Sequence, residues 1–205
     1  PDISIGDTIC LKDHIEPLPP IHIEKPTLSM NFLVNNGPFV GKSGKFLTSR
    51  HLRERLEREL ETNVGLLVEE LPNSDGFKVS GRGELHLSIL LENMRREGYE
   101  LCVSKPEVLL EERDGKKYEP FERVIINCPS EYQGTVINDL QERKATLEIV
   151  STTDEGYSHL EFSAPTRGLL GYRSAFITNT KGEGIMIRSF EDYKPYVGDV
   201  IRRKN

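Results

Sequence analysis

The order strand, helix, strand, strand, helix, strand can be read twice along this 205-residue chain. It predicts an α+β fold of two tandem ferredoxin-like βαββαβ sandwiches. Three observations carry the expectation: short apolar alternations that mark strands buried on one face, apolar residues at i, i+3, i+4 and i+7 that mark amphipathic helices, and breaker-rich turns at matching places in both halves. The two halves share topology, not sequence.

Asp2 to Leu11 reads as the last strand of something upstream. Pro17, Pro19, Pro20 and Pro26 then form a stiff, extended linker, since each proline fixes φ and removes a donor, so residues 1–26 stand apart. The first sandwich, 27–110, begins with Leu28, Met30, Phe32 and Val34 alternating. A loop with Asn35-Asn36-Gly37-Pro38 and Gly41-Lys42-Ser43-Gly44 follows. Leu52, Leu56 and Leu60 recur at i+4 among strong helix formers, which predicts a helix from Ser49 to about Thr62. Val64, Leu66 and Val68 make a second strand, Asn73-Ser74-Asp75-Gly76 turns the chain, and Phe77 and Val79 make its hairpin partner. Leu87, Leu90, Leu91 and Met94 form a helical stripe, with Glu84 in the first turn, Arg95 and Arg96 in the last, and Gly98 as the terminating residue. Tyr99, Leu101 and Val103 close the sheet.

A polar connector, 111–117, leads to the second sandwich, 118–197. Val124, Ile126 and Cys128 alternate, and Ser130 with Gln133 suggests a capping box for a helix carrying Tyr132, Val136 and Leu140. Leu147 and Ile149, the turn Asp154-Glu155-Gly156, and Leu160, Phe162 and Ala164 form a hairpin. A second helix is expected from about Thr166 to Thr180, ended by Gly182, and Ile185 and Ile187 close the sheet. Residues 198–205, with the basic run Arg202-Arg203-Lys204, read as the truncated start of a further domain. The start at Pro1-Asp2-Ile3, without a Met or a signal peptide, likewise suggests a piece of a longer polypeptide.

No apolar run approaches the ~18 residues of a membrane span. Three cysteines, Cys10, Cys102 and Cys128, give neither a disulfide framework nor a zinc knuckle and suit a reducing cytoplasm. The net charge is −6, but it is uneven. From Val40 to Arg58, Lys42, Lys45, Arg50, Arg53, Arg55 and Arg58 face only Glu54 and Glu57. Between Pro165 and Arg188, Arg167, Arg173, Lys181 and Arg188 face only Glu183. Such segments would dock locally on an anionic partner.

Gly37-Pro-Phe-Val-Gly41-Lys42-Ser43 invites a phosphate-loop reading, but three residues separate the glycines where four are needed, and no helix starts at Ser43. The reading is rejected in favour of a flexible basic loop, whose Lys42 and Lys45 have no nearby acid and suit phosphate contact. Ser80-Gly81-Arg82-Gly83-Glu84 joins a strand to a helix. It is favoured as a tight turn over an anion site in which Arg82 assists. His86 lacks the second histidine of a zinc site and reads as a packing or surface residue. The arginines of the first helix read as a solvated face with i,i+4 pairs. Two glycines, Gly168 and Gly171, cost the last helix about 2 kcal/mol relative to alanine, offset either by close packing on the sheet or by backbone approach to a partner. No catalytic constellation stands out, so no enzyme active site is expected within the chain.

Ser80-Gly-Arg-Gly-Glu-Leu-His-Leu87, after a basic helix and a hairpin, resembles the third domain of elongation-factor-G-like translational GTPases. Pro165 to Lys194, with Gly168-Leu-Leu-Gly-Tyr-Arg-Ser174 and Lys181-Gly-Glu-Gly184, resembles their fifth, without the domain that elongation factor G places between. Val34-Asn-Asn-Gly-Pro-Phe-Val-Gly-Lys42 and Thr48-Ser-Arg-His-Leu-Arg-Glu-Arg-Leu-Glu-Arg-Glu-Leu60 resemble the TypA/BipA family. The resemblance implies a ribosome-associated, cytoplasmic GTPase of the assembly or stress type, acting as a monomer without a membrane partner. Its GTP- and Mg-binding domain and most of its barrel domain would precede Pro1, and its tRNA-directed C-terminal domain would follow Asn205. No cofactor is then expected here, and partners would be ribosomal RNA and ribosomal proteins, touched through Lys42, Lys45, Arg50, Arg82, Arg167, Arg173 and Lys181. The alternative is a tandem ferredoxin-like regulatory module that binds a small metabolite, with the amides of Ser80 to Glu84 as donors.

Overall fold

Leu28 and Phe32 in β1 (Leu28–Val34) are fully buried, as are Leu52 in α1 (Ser49–Thr62) and Leu87 and Met94 in α2 (Glu84–Glu97). These residues make the first core because strand period and helix period deliver them to one layer boundary. The computed structural model describes residues 3, 5–19, 25–72 and 74–198. Pro20 of the expected linker, Asn73 of the hairpin turn and the basic run Arg202-Arg203-Lys204 lie outside the described residues. The chain divides into two units, 1–107 and 108–205.

In the first unit, β2 (Leu67–Glu70), β3 (Gly76–Gly81) and β4 (Leu101–Val103) complete an antiparallel sheet of order β2-β3-β1-β4, with the short β5 (Glu107–Val108) also paired to β1. That order is the ferredoxin-like one, and α1 and α2 start and stop as their sequence signals require. The Thr48 side chain caps α1 by accepting from His51 N, and Gly98, at φ 96°, ends α2 in the left-handed region. The second strand begins later than expected, because Val64 and Gly65 turn the chain after α1. The upstream strand expected at Asp2 to Leu11 is not formed among the described residues. A strand exists only with a ladder partner, and Leu11 makes just an isolated bridge to His14.

The second unit repeats the topology with β7 (Lys116–Pro129), α3 (Gln133–Glu142), β8 (Thr146–Thr152), β9 (Tyr157–Pro165), α4 (Thr166–Leu169), α5 (Tyr172–Asn179) and β10 (Ile185–Pro195), in sheet order β10-β7-β9-β8. Val124, Ile126, Leu140, Phe162, Leu169 and Phe176 lie in its core. The expected connector is instead a hairpin. β6 (Glu111–Arg113) pairs with the start of β7 through Asp114 and Gly115, both at positive φ, as a two-residue turn demands. Outer strands β8 and β10 each slip register once, between Leu147 and Ile149 and between Phe190 and Asp192.

Two further expectations are corrected, and the closing strand presents an unexpected face. The capping box is not made: Ser158 Oγ lies 2.9 Å from Ser130 Oγ and 2.7 Å from Gln133 Oε1, so both side chains face the sheet, and a single 3-10 turn, Ser130–Tyr132, precedes α3. Ile185 and Ile187 close the sheet as expected, but they are more than half exposed, while Met186 between them packs on the core. The single helix expected over 166–180 is two, because Gly171 adopts φ 71° between α4 and α5. Gly168 does pack closely, on the end of α3 and not on the sheet: a Cβ there would meet the Arg143 carbonyl oxygen at 2.4 Å.

Candidate nucleic-acid interface

The basic residues singled out from sequence fall into three physical classes. Lys42, Lys45, Arg82, Arg173 and Lys181 are exposed. Arg50 is exposed too, but its Nε donates to Glu54 Oε1 at 2.8 Å, one helical turn on. Arg167 belongs inside. Its guanidinium makes a two-pronged pair with Glu119, Nη2 donating to Oε1 at 3.0 Å, and it also bonds the Gly198 carbonyl. The Glu119 side chain is wholly buried and that of Arg167 only 13% exposed. The expectation that Arg167 is a surface docking charge is therefore corrected: it anchors α4 to the strand start and to the chain leaving β10.

The loop between β1 and α1 departs most from expectation. Instead of a flexible segment, it is wrapped around one carboxylate, Glu100. Glu100 Oε1 accepts from Asn35 Nδ2 at 2.8 Å and Gly41 N at 3.0 Å, and Oε2 accepts from Ser43 N at 2.8 Å and Gly44 N at 3.0 Å. Lys45 N and Phe46 N donate to the Gly98 carbonyl at 2.7 and 3.1 Å, and the Phe46 ring lies 4.7 Å from that of Tyr99. Gly44 is required here, because a Cβ would come within 2.7 Å of the Gly98 oxygen. The amides that resemble a phosphate loop thus already hold an internal anion, and they do not fit a nucleotide phosphate. Lys42, resting 4.7 Å over the Phe39 ring, and Lys45 remain on the outside.

Backbone donation from Ser43, then Gly41, holds the Glu100 carboxyl below its ordinary range, against the opposing effect of burial. With the folded value below the unfolded one, the stabilisation is complete above the ordinary carboxylate pKa of about 4.3. It is lost only as pH falls through the lowered folded value. The Ser43 and Gly44 amide resonances are accordingly expected to stay put from neutral pH through about 4.3 and to move only below it. An NMR titration checks this, and a midpoint at the ordinary value would mean that the loop amides do not hold the carboxylate.

Arg82 lies apart from the lysine loop. Gly81 pairs with Leu28 at the start of β1, whereas the loop leaves Val34 at its end, so strand rise separates them by roughly 20 Å. The turn is the structural one that sequence favoured. The Arg82 carbonyl accepts from Thr27 Oγ1 at 3.0 Å, and His86 Nδ1 accepts from Arg82 N at 3.2 Å. The His86 proton therefore sits on Nε2, 3.0 Å from Asn63 Oδ1, and burial, then Arg82, lowers its pKa. In the second unit, Arg173, Phe176, Ile177 and Ile185 line a shallow pocket of about 250 Å³. Lys181 leans over the Tyr132 ring at 5.5 Å, at φ 50°. Among the described residues no group of three or more potential metal ligands occurs, and no helix is long and apolar enough to cross a membrane.

Residues 116–204 match the family described as Elongation factor G C-terminus. Over 194 residues the chain is 50% identical to the "Large ribosomal subunit assembly factor BipA" of Bacillus subtilis (strain 168), covering 95% of this chain and 32% of the relative. Along nearly its whole length the chain is similar to BipA. Relatives of the same name in Salmonella typhimurium (47% identical, 100% of this chain, 34% of the relative) and Haemophilus influenzae (48%, 100% and 33%) agree along its whole length. The chain spans about a third of the length of the curated relatives it matches. A crystal structure from Thermus thermophilus aligns at TM-score 0.50 and 15% identity, over 88% of this chain and 42% of that one, a likeness of fold alone.

Proposed function

We propose that this chain is the ribosome-docking part of a TypA/BipA-type translational GTPase that serves large-subunit assembly or stress-responsive translation. The observation that carries the reading is 47–50% identity along essentially the whole chain to proteins named for assembly of the large ribosomal subunit. On this reading, residues 27–110 and 118–197 correspond to the third and fifth domains of elongation factor G. Residues 1–26 end a barrel domain, and 198–205 begin the family's C-terminal domain. GTP and Mg belong to a domain outside this sequence, and the work is done in the cytoplasm.

The footprint consists of exposed cations: Lys42 and Lys45 on the first unit, which no acidic side chain engages among the described residues, and Arg173 and Lys181 on the second, the latter beside Glu131 and Glu183, with Arg50 and Arg82 contributing less. Each phosphate contact releases counterions, so affinity depends on salt. Replacing Lys42 and Lys45 with glutamine in the full-length protein is expected to flatten the slope of log affinity against log salt by roughly 0.7 to 0.9 for each phosphate left unneutralised. Folding should change by no more than about 0.5 kcal/mol per site. Co-sedimentation with purified large ribosomal subunits over a salt series, beside thermal melts, reads both. Arg58→Gln, an exposed helix charge, is the control, and equal weakening in control and loop variants would mean diffuse attraction instead of a footprint.

A further inference from the structure

The basic loop gains its shape from an acid. Glu100 offers two carboxylate oxygens, and each is filled by two donors from the loop: Asn35 Nδ2 and Gly41 N on one, Ser43 N and Gly44 N on the other. Successive backbone amides converging on one anion form a nest of the kind proteins use to hold phosphate, here closed from within. Lys42 lies between two of those amides in sequence, and Lys45 directly follows the last. The backbone on both sides of each lysine is therefore tied to the same carboxylate or to the Gly98 carbonyl. No acid among the described residues engages the charge of Lys42 or Lys45.

We propose that Glu100 is the positioning residue of this interface: an internal carboxylate that fixes the amides of Gly41, Ser43 and Gly44 and so presents Lys42 and Lys45 in a preformed arrangement to the phosphates of an RNA backbone. The inference rests on the docking reading above. Its physical content is preorganisation. A loop ordered before contact does not lose backbone freedom on binding, whereas a released loop would lose it residue by residue.

The sign expected for a charge-removing variant is opposite to that of plain electrostatics. Glu100→Gln removes a negative charge from an RNA-facing loop, and Coulomb attraction alone would tighten binding. If Glu100 positions the lysines, E100Q weakens binding, since a glutamine amide turns donors toward N–H groups that need an acceptor. We expect three- to tenfold weaker co-sedimentation of full-length E100Q with purified large ribosomal subunits. The slope against salt should flatten toward that of K42Q/K45Q, and adding E100Q to K42Q/K45Q should cost nothing further. Faster amide exchange confined to residues 41–46, with the melting transition little changed, would show that the nest has opened without loss of the fold. Glu100→Asp, which keeps the charge on a shorter arm, should lie between.

Binding that is unchanged or tighter in E100Q despite the faster exchange overturns the positioning role, as does exchange that stays at the parent rate. Weaker binding in K42Q/K45Q but not in E100Q sinks this inference alone. Undiminished binding in K42Q/K45Q sinks the docking reading, and this inference with it.

Discussion

Arg167→Gln is expected to destabilise the second unit by about 3–5 kcal/mol, the range for removing one partner of a buried ion pair. Glu119 would then remain wholly buried with the Val197 amide, at 2.9 Å, but without the guanidinium. Lysine should not rescue, because a point charge cannot replace a planar fork that meets both carboxylate oxygens. For a unit of this size such a loss would lower the melting temperature by more than about 12 °C. Urea melts of R167Q and R167K measure it, and a change within about 0.5 kcal/mol would mean that the pair is solvated. Loss of ribosome binding in R167Q would therefore report unfolding, and this arginine is unsuitable for mapping a footprint.

The second large effect is expected in the first unit. Arg55, read from sequence as part of a solvated helix face, is 7% exposed. Its guanidinium donates to Glu97 Oε1 and Oε2 at 2.8 and 2.6 Å and to Glu59 Oε2 at 2.8 Å, tying α1 to the end of α2. Those hydrogen bonds with Glu97, then Glu59, hold the guanidinium well above its ordinary pKa, against the cost of burial. Because Glu97 is 40% exposed and can rehydrate, Arg55→Gln is expected to cost about 2–3 kcal/mol, below the range for a fully buried pair. Denaturant unfolding of R55Q beside R58Q tests this, and equal stabilities would show that the link between helices contributes nothing.

What was legible in the sequence was local. Leu87, Leu90 and Met94 in helical period, with Gly98 one turn beyond Met94, fix α2 without tertiary information, and the alternations of β1, β3 and β7 set the two sheets. The misreadings share a cause. Glu100 meets Gly41 across 59 residues, Arg55 meets Glu97 across 42 and Arg167 meets Glu119 across 48. Charge patterning sees an acid four residues away and misses one that only the fold brings near. Gly168 and Gly171 were visible as an anomaly, but which of the two breaks the helix depends on the Arg143 carbonyl beside the first. The lysine loop looked flexible because glycine was counted as freedom, when its amides were donors awaiting an acceptor.

The register slips of the second sheet bear on self-association. Each outer strand carries one extra residue: Glu148 in β8, between the pairs Leu147–Phe162 and Ile149–Glu161, and Glu191 in β10, between Phe190–Glu122 and Asp192–Phe121. Ile149, Val150, Ile185 and Ile187 are all exposed on those same strands, and a long, flat border bearing such side chains would template the addition of a second chain. A bulge twists the border and breaks the run of free donors and acceptors. The two bulges therefore let the surface keep exposed apolar residues while denying another copy a continuous ladder to extend.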